Sequence, residues 1–205
     1  MDIFKKIKSV LSNSEKFFLD LNKEKTLEDA LLFYIILLAF SAVMGYIVNI
    51  IFGEAYIKFI YNLFNLNFPL PNYNALSLIS TTILGYIIGI ALSFLAAGIL
   101  YVWLLIFGGN KGYVKAYQLF VYSTTPKLVF GWIPIISFIT GIYSLVLLII
   151  GTKKIYNFST TKSILIYVIP SVIIAIIALL FLVVLFAFLK ITPLPALTSI
   201  SWTLI

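Results

Sequence analysis

The chain has 205 residues, 62% of them hydrophobic and 10% charged, with a mean hydropathy of +1.14 and a net charge of +7. It contains no Cys and no His, all fourteen basic residues are Lys, and from Ala55 to Ile205 it has neither Asp nor Glu. This composition lies outside the soluble globular class and lacks most of the groups used for acid–base catalysis, metal ligation and thiol chemistry.

Residues 1–26 place Ile3, Phe4, Ile7, Val10, Leu11, Phe17, Phe18 and Leu21 at roughly helical spacing, with six Lys between them. The segment reads either as a cytoplasmic amphipathic helix lying on an anionic leaflet or as a solvated tail. Thr26-Leu27-Glu28-Asp29 has the form of a capping box, so a first spanning helix is expected over about 27–52, retained rather than cleaved. Ala55–Phe68 then mixes aromatics with Asn and one Lys, as an interfacial segment does, and Pro69 and Pro71 end it.

A second span is expected over about 76–107. Within it Gly85, Gly89, Ser93 and Ala97 recur at steps of four, a stripe that lets another helix approach closely. Gly108-Gly109-Asn110-Lys111-Gly112 reads as a tight turn; it lacks the strand and the Lys-Ser/Thr of a phosphate-binding loop. The third span, about 113–130, is the least apolar, holding Lys115, Gln118, Ser123-Thr124-Thr125, Pro126 and Lys127. Clear spans follow at about 132–151 and 163–189, the latter kinked by Pro170, and an apolar tail occupies 191–205. Leu104–Tyr113 and Leu147–Tyr156 match at six of ten positions, which is the trace of a duplicated hairpin or a chance likeness of two junctions.

The fold expected is therefore all-α: a polytopic transmembrane helical bundle, 27–190, of five spans, with an N-terminal amphipathic segment. Five crossings put eleven Lys on the cytoplasmic side and three (Lys58, Lys127, Lys190) outside. By the positive-inside rule the N-terminus is then cytoplasmic and the C-terminus outside. In a prokaryote the membrane would be the plasma membrane.

From Gly108 to about Ile174 the order of features resembles the YIP family, the Rab/Ypt-interacting integral membrane proteins whose domain also occurs widely in archaea and bacteria. The shared features are the turn glycines Gly108, Gly109 and Gly112 and a polar helix ending Tyr122-Ser123-x-x-Pro126. A link with Pro134, a span ending at Gly151, and a turn closing on Ser159-x-x-Lys162 follow. The resemblance implies five spans, a cytoplasmic N-terminus and a role in membrane trafficking or organisation. Tyr156 and Ser163 stand where relatives often have His and Ala. The Asp-Leu-Tyr-Gly-Pro segment of the eukaryotic branch is missing, so Rab binding does not carry over.

The leading functional reading is a non-enzymatic membrane protein that organises the bilayer or recruits partners at its cytoplasmic face. There Lys153, Lys154 and Lys162 would meet anionic head groups, or would serve only to fix topology. The alternative is a small transporter or channel for an anion or neutral solute, built on Gln118, Ser123, Thr124, Thr125 and Pro126. A nucleophilic Ser123 or Ser159 would lack a base, so no catalytic residue, metal site or cofactor is expected. The expected partners are the bilayer, anionic lipids and either a protein or a second copy of the chain; nucleic acid is not expected.

Overall fold

The computed structural model describes residues 2–64, 68–69 and 74–191, and every regular element among them is helical. The elements are α1 (Ile3–Ser12), α2 (Ser14–Asp20), a 3-10 turn (Leu21–Lys23), α3 (Glu28–Leu63), α4 (Ala75–Ile106), α5 (Tyr113–Ser123), α6 (Thr125–Phe130), α7 (Pro134–Tyr156) and α8 (Thr160–Ile191). Two compact units divide at Ser163, residues 1–163 and 164–205. The tail expected at 191–205 lies, apart from Ile191, outside the described residues, as does most of the 69–72 break.

Four helices among the described residues are long and apolar enough to cross a membrane: Glu28–Leu63, Ala75–Ile106, Ile136–Tyr156 and Thr160–Leu185. Their surfaces carry exposed Leu, Ile, Val and Phe along their length, for example Val43, Ile51, Ile87, Ile99, Ile139 and Phe181. In water such area would be a severe liability; against acyl chains it is the expected surface.

Three boundaries differ from the sequence reading. Helix α3 does not stop at Phe52-Gly53 but runs to Leu63, taking in most of the interfacial segment; at 36 residues it is about 54 Å long. Its continuation past Gly53 is supported by the Glu54–Lys58 pair at i, i+4, 2.7 Å apart. Its start is not a capping box: the N-cap is Leu27, with no side-chain hydrogen bond, and the Thr26 carbonyl accepts instead from Gln118 Nε2 at 2.8 Å.

The 113–130 stretch is two helices of eleven and six residues rather than one continuous helix. Pro126 cannot donate to the carbonyl four residues back, that of Tyr122. The Thr125 hydroxyl donates to that carbonyl at 2.8 Å, so the acceptor that the proline abandons is satisfied. Finally, α7 continues through Gly151 to Tyr156 and ends on Asn157 in the left-handed conformation, φ 55°.

The two echoing junctions consequently take different shapes. The first ends α4 in a Schellman turn: Gly108, at φ 82°, donates to the Leu105 carbonyl and Gly109 to that of Leu104. The second remains helical at the corresponding Gly151.

Candidate functional site

Amphipathic α1 and α2 are too short to be stable alone, and part of their apolar surface is covered within the 1–163 unit, while Phe4 stays exposed. Val10 and Phe18 are wholly buried and Leu21 nearly so. These three side chains pack on protein, and the reason is a line of specific contacts from α5 and α7. Tyr143 Oη donates to the Leu11 carbonyl at 2.5 Å, and Asn22 Nδ2 to the Lys154 carbonyl at 3.3 Å. Lys154 Nζ pairs with Glu15 at 2.7 Å. The segment thus runs parallel to the second half of α7, Leu11 beside Tyr143 and Asn22 beside Lys154.

Gly151 permits this approach. A Cβ there would lie 3.0 Å from Phe18 Cε1 and would collide with Leu119 Cδ1, so α2, α5 and α7 converge on a missing side chain. Lys154 and Lys153 hold the neighbouring Glu15 carboxyl below its usual range; the Lys154 hydrogen bond is the largest cause and its charge the second.

The other half of the seat is on α5. Lys115 Nζ donates to the Leu21 carbonyl at 2.5 Å, to that of Glu24, and to Gln118 Oε1 at 3.0 Å. These three acceptors use all three ammonium protons. Two of them are carbonyls at the end of the 3-10 turn, where a cation is favoured; that of Leu21 also accepts the Glu24 backbone N–H at 3.1 Å. Gln118 in turn donates to the Thr26 carbonyl, so one lysine and one amide tie down the whole link between the N-terminal segment and α3.

Tyr122, wholly buried, receives a hydrogen bond from Lys6 Nζ at 2.8 Å. Its ring packs edge-on to Phe17 with centroids 4.9 Å apart and against Phe33 at 5.2 Å. Lys6 also pairs with Glu24 at 3.5 Å and has only 13% of its side chain exposed. Tyr122 therefore sits between the N-terminal segment and α3, touching both.

The residues singled out in the sequence fall into separate places. Of the small-residue stripe, Ser93 and Ala97 are buried, Ser93 Oγ lying 3.2 Å from Tyr117 Oη. A Cβ on Gly89 would meet Leu38 at 3.1 Å, whereas Gly85 has open space beside it. The lower three residues are a packing face and the first is not. Gly108 and Gly112 both hold positive φ, and Gly109 lies under the Tyr156 ring, 2.9 Å from a would-be Cβ. Pro126 sits in the first turn of α6 and Pro134 in that of α7, where a missing N–H costs nothing. Ser159 caps α8 by accepting from the Lys162 N–H at 3.2 Å.

Of the basic trio, Lys154 is bound to Glu15, and Lys162 Nζ lies 4.1 Å over the Phe158 ring. Ser123, Thr124 and Thr125 each donate to a carbonyl three residues back, all three of them carbonyls of α5. Sequence reasoning placed Lys6 in the amphipathic segment and Lys115 in the least apolar span without assigning either a partner, and did not pick out Glu24 and Tyr143. No periodic signal marks these contacts: Tyr122 is 116 positions from Lys6, the Lys6–Glu24 pair spans 18, and Lys115 and Tyr143 reach backbone carbonyls more than ninety positions away. Among the described residues no group of three or more His, Cys, Asp or Glu could hold a metal ion.

A protein-family model described as the Yip1 domain matches residues 8–192, nearly the whole chain and including most of the N-terminal segment. No curated protein and no solved structure matches it.

Proposed function

The chain belongs to the Yip1-domain family, a family of multi-pass membrane proteins, and from that membership we propose a non-enzymatic scaffold that organises the bilayer or recruits partners at its cytoplasmic face. The observation that carries this reading is the fate of the polar groups. Lys6, Glu15, Glu24, Lys115, Gln118 and Lys154 are all bonded within the chain, to one another or to backbone and tyrosine oxygens. They build a fixed N-terminal face. The hydroxyls of Ser123, Thr124 and Thr125 are likewise used on backbone carbonyls of α5, which weighs against a polar permeation path along it.

In this reading the N-terminus is cytoplasmic and α5 with α6 makes a fifth crossing. Two observations support it. Eleven Lys against three fall on the cytoplasmic side. The pair also ascends beside α3: Gln118 meets Thr26, Phe120 meets Tyr34, and Thr124, Lys127 and Gly131 share a groove with Leu38, Ser41 and Gly45. From Thr26 to Gly45 is about 28 Å of helix, close to a hydrocarbon core. Lys153 and Lys162 remain for anionic head groups, at about 1 kcal/mol each.

The test is purification of the native protein from its own membranes in mild detergent, alongside reconstitution into liposomes. Stoichiometric co-purification of a protein, or a change in vesicle shape at a low protein-to-lipid ratio, is the expected result. Solute flux with neither of these would replace the scaffold reading by the transporter.

A further inference from the structure

A cavity of about 450 Å³ opens between α3, α5 and α6, walled by Leu38 and Phe120 and edged by Ser41, Thr124, Lys127 and, in the link after α6, Trp132. Lys127 is exposed there and makes no ion pair among the described residues. The chain beyond Glu54 supplies no acid at all, and Glu54 itself is committed to Lys58.

The depth of the site makes that imbalance matter. Gly45, which lines the same cavity, lies eight residues or about 12 Å along α3 before Gly53, where the apolar run gives way to Glu54. Lys127 is thus attached below the end of the apolar belt. Its four-carbon stem can carry the ammonium only part of that distance, and an ammonium in hydrocarbon is costly without a counter-ion.

We propose that this cavity binds the phosphate of an anionic phospholipid. Lys127 is the counter-charge, the Ser41 hydroxyl is a donor beside it, and the first part of an acyl chain lies against Leu38 and Phe120. The Trp132 indole N–H is already used on the Val129 carbonyl at 2.7 Å and the Thr124 hydroxyl on that of Val121 at 2.9 Å. Both therefore shape the cavity without donating to the lipid. The lipid, not the protein, neutralises the outermost cation of the 1–163 unit's shorter helices.

Native mass spectrometry of the full chain, released from bilayers of mixed phosphatidylcholine and phosphatidylglycerol, tests this. The wild type is expected to retain phosphatidylglycerol in preference to phosphatidylcholine. Lys127→Gln should reduce that retention about fivefold, the factor one Lys near an anionic surface supplies. Lys127→Arg should keep the preference. Lys58→Gln, which removes an exposed paired lysine, should leave it unchanged. Equal retention by wild type and Lys127→Gln overturns the proposal. Displacement of the lipid by millimolar inorganic phosphate or glycerol phosphate would also overturn it, assigning the cavity to a soluble anion. The melting temperature of each variant in detergent separates a lost site from a lost fold.

Discussion

Replacing Lys115 by Met removes one charge and three hydrogen bonds while keeping an apolar stem of similar length. Each bond to a charged group contributes about 1.5–3 kcal/mol, but the ammonium is only half-buried and water can return to the Leu21 and Glu24 carbonyls. Crediting the site with little more than one such bond gives about 2 kcal/mol, or roughly a thirtyfold rise in the fraction of molecules with residues 3–23 undocked. Hydrogen–deuterium exchange in nanodiscs reads this directly. Peptides from 3–23 should lose protection by about that factor, while α4 and the first half of α3 stay as in the wild type. Unchanged protection of 3–23 would refute the assignment of Lys115 as the cap of this segment. A uniform loss along the whole chain would show that it acts on global stability instead.

Gly151→Ala should weaken the same docking by about 1–3 kcal/mol through overpacking against Leu119 and Phe18. Gly85→Ala, made in open space within a helix, should be neutral or stabilising by up to about 1 kcal/mol; thermal melts in detergent compare the two. Tyr122→Phe removes the acceptor of Lys6 and leaves the ring packing, and should cost about 1 kcal/mol in the same melt. For the pH dependence, the Glu15 carboxyl is held below its unfolded value of 4.5 by Lys154. Its contribution is complete above 4.5 and is lost as pH falls through the lower folded value. Because the chain has no Cys, a single Ser12→Cys spin label reports this release, and Glu15→Gln should abolish the pH-dependent part of the signal.

The long helices were legible because hydrophobic runs of α3, α4, α7 and α8 report directly on the solvent they face. The turn at Gly108–Gly112 was legible for a similar reason: only a residue without Cβ adopts those φ values easily. The end of α3 was misjudged because Gly53 and the polar residues after it suggest a stop, whereas one i, i+4 ion pair and continued burial of Gly53 carry the helix onward. The split of 113–130 depends on one hydroxyl, Thr125, meeting the carbonyl that Pro126 abandons. The N-terminal seat was the least legible part. Charge patterning reports where a lysine is tolerated, not that Lys115 ends on two particular carbonyls some ninety residues earlier. The small-residue stripe lay between these cases, its spacing visible in the sequence but the openness at Gly85 set by which part of α3 lies opposite.

The separation between the N-terminal segment and its seat also fixes an order of events. Leu11 and Tyr143 are 132 positions apart, as are Asn22 and Lys154. At 5–20 residues per second, roughly 7–26 s of synthesis pass between the appearance of the first partner and the second. Throughout that interval the apolar faces of α1 and α2 have no α7 to cover them. Closure of the N-terminal segment is therefore a late step in biogenesis, and until it happens the nascent chain presents a lysine-studded amphipathic helix to whatever surface or chaperone is nearest.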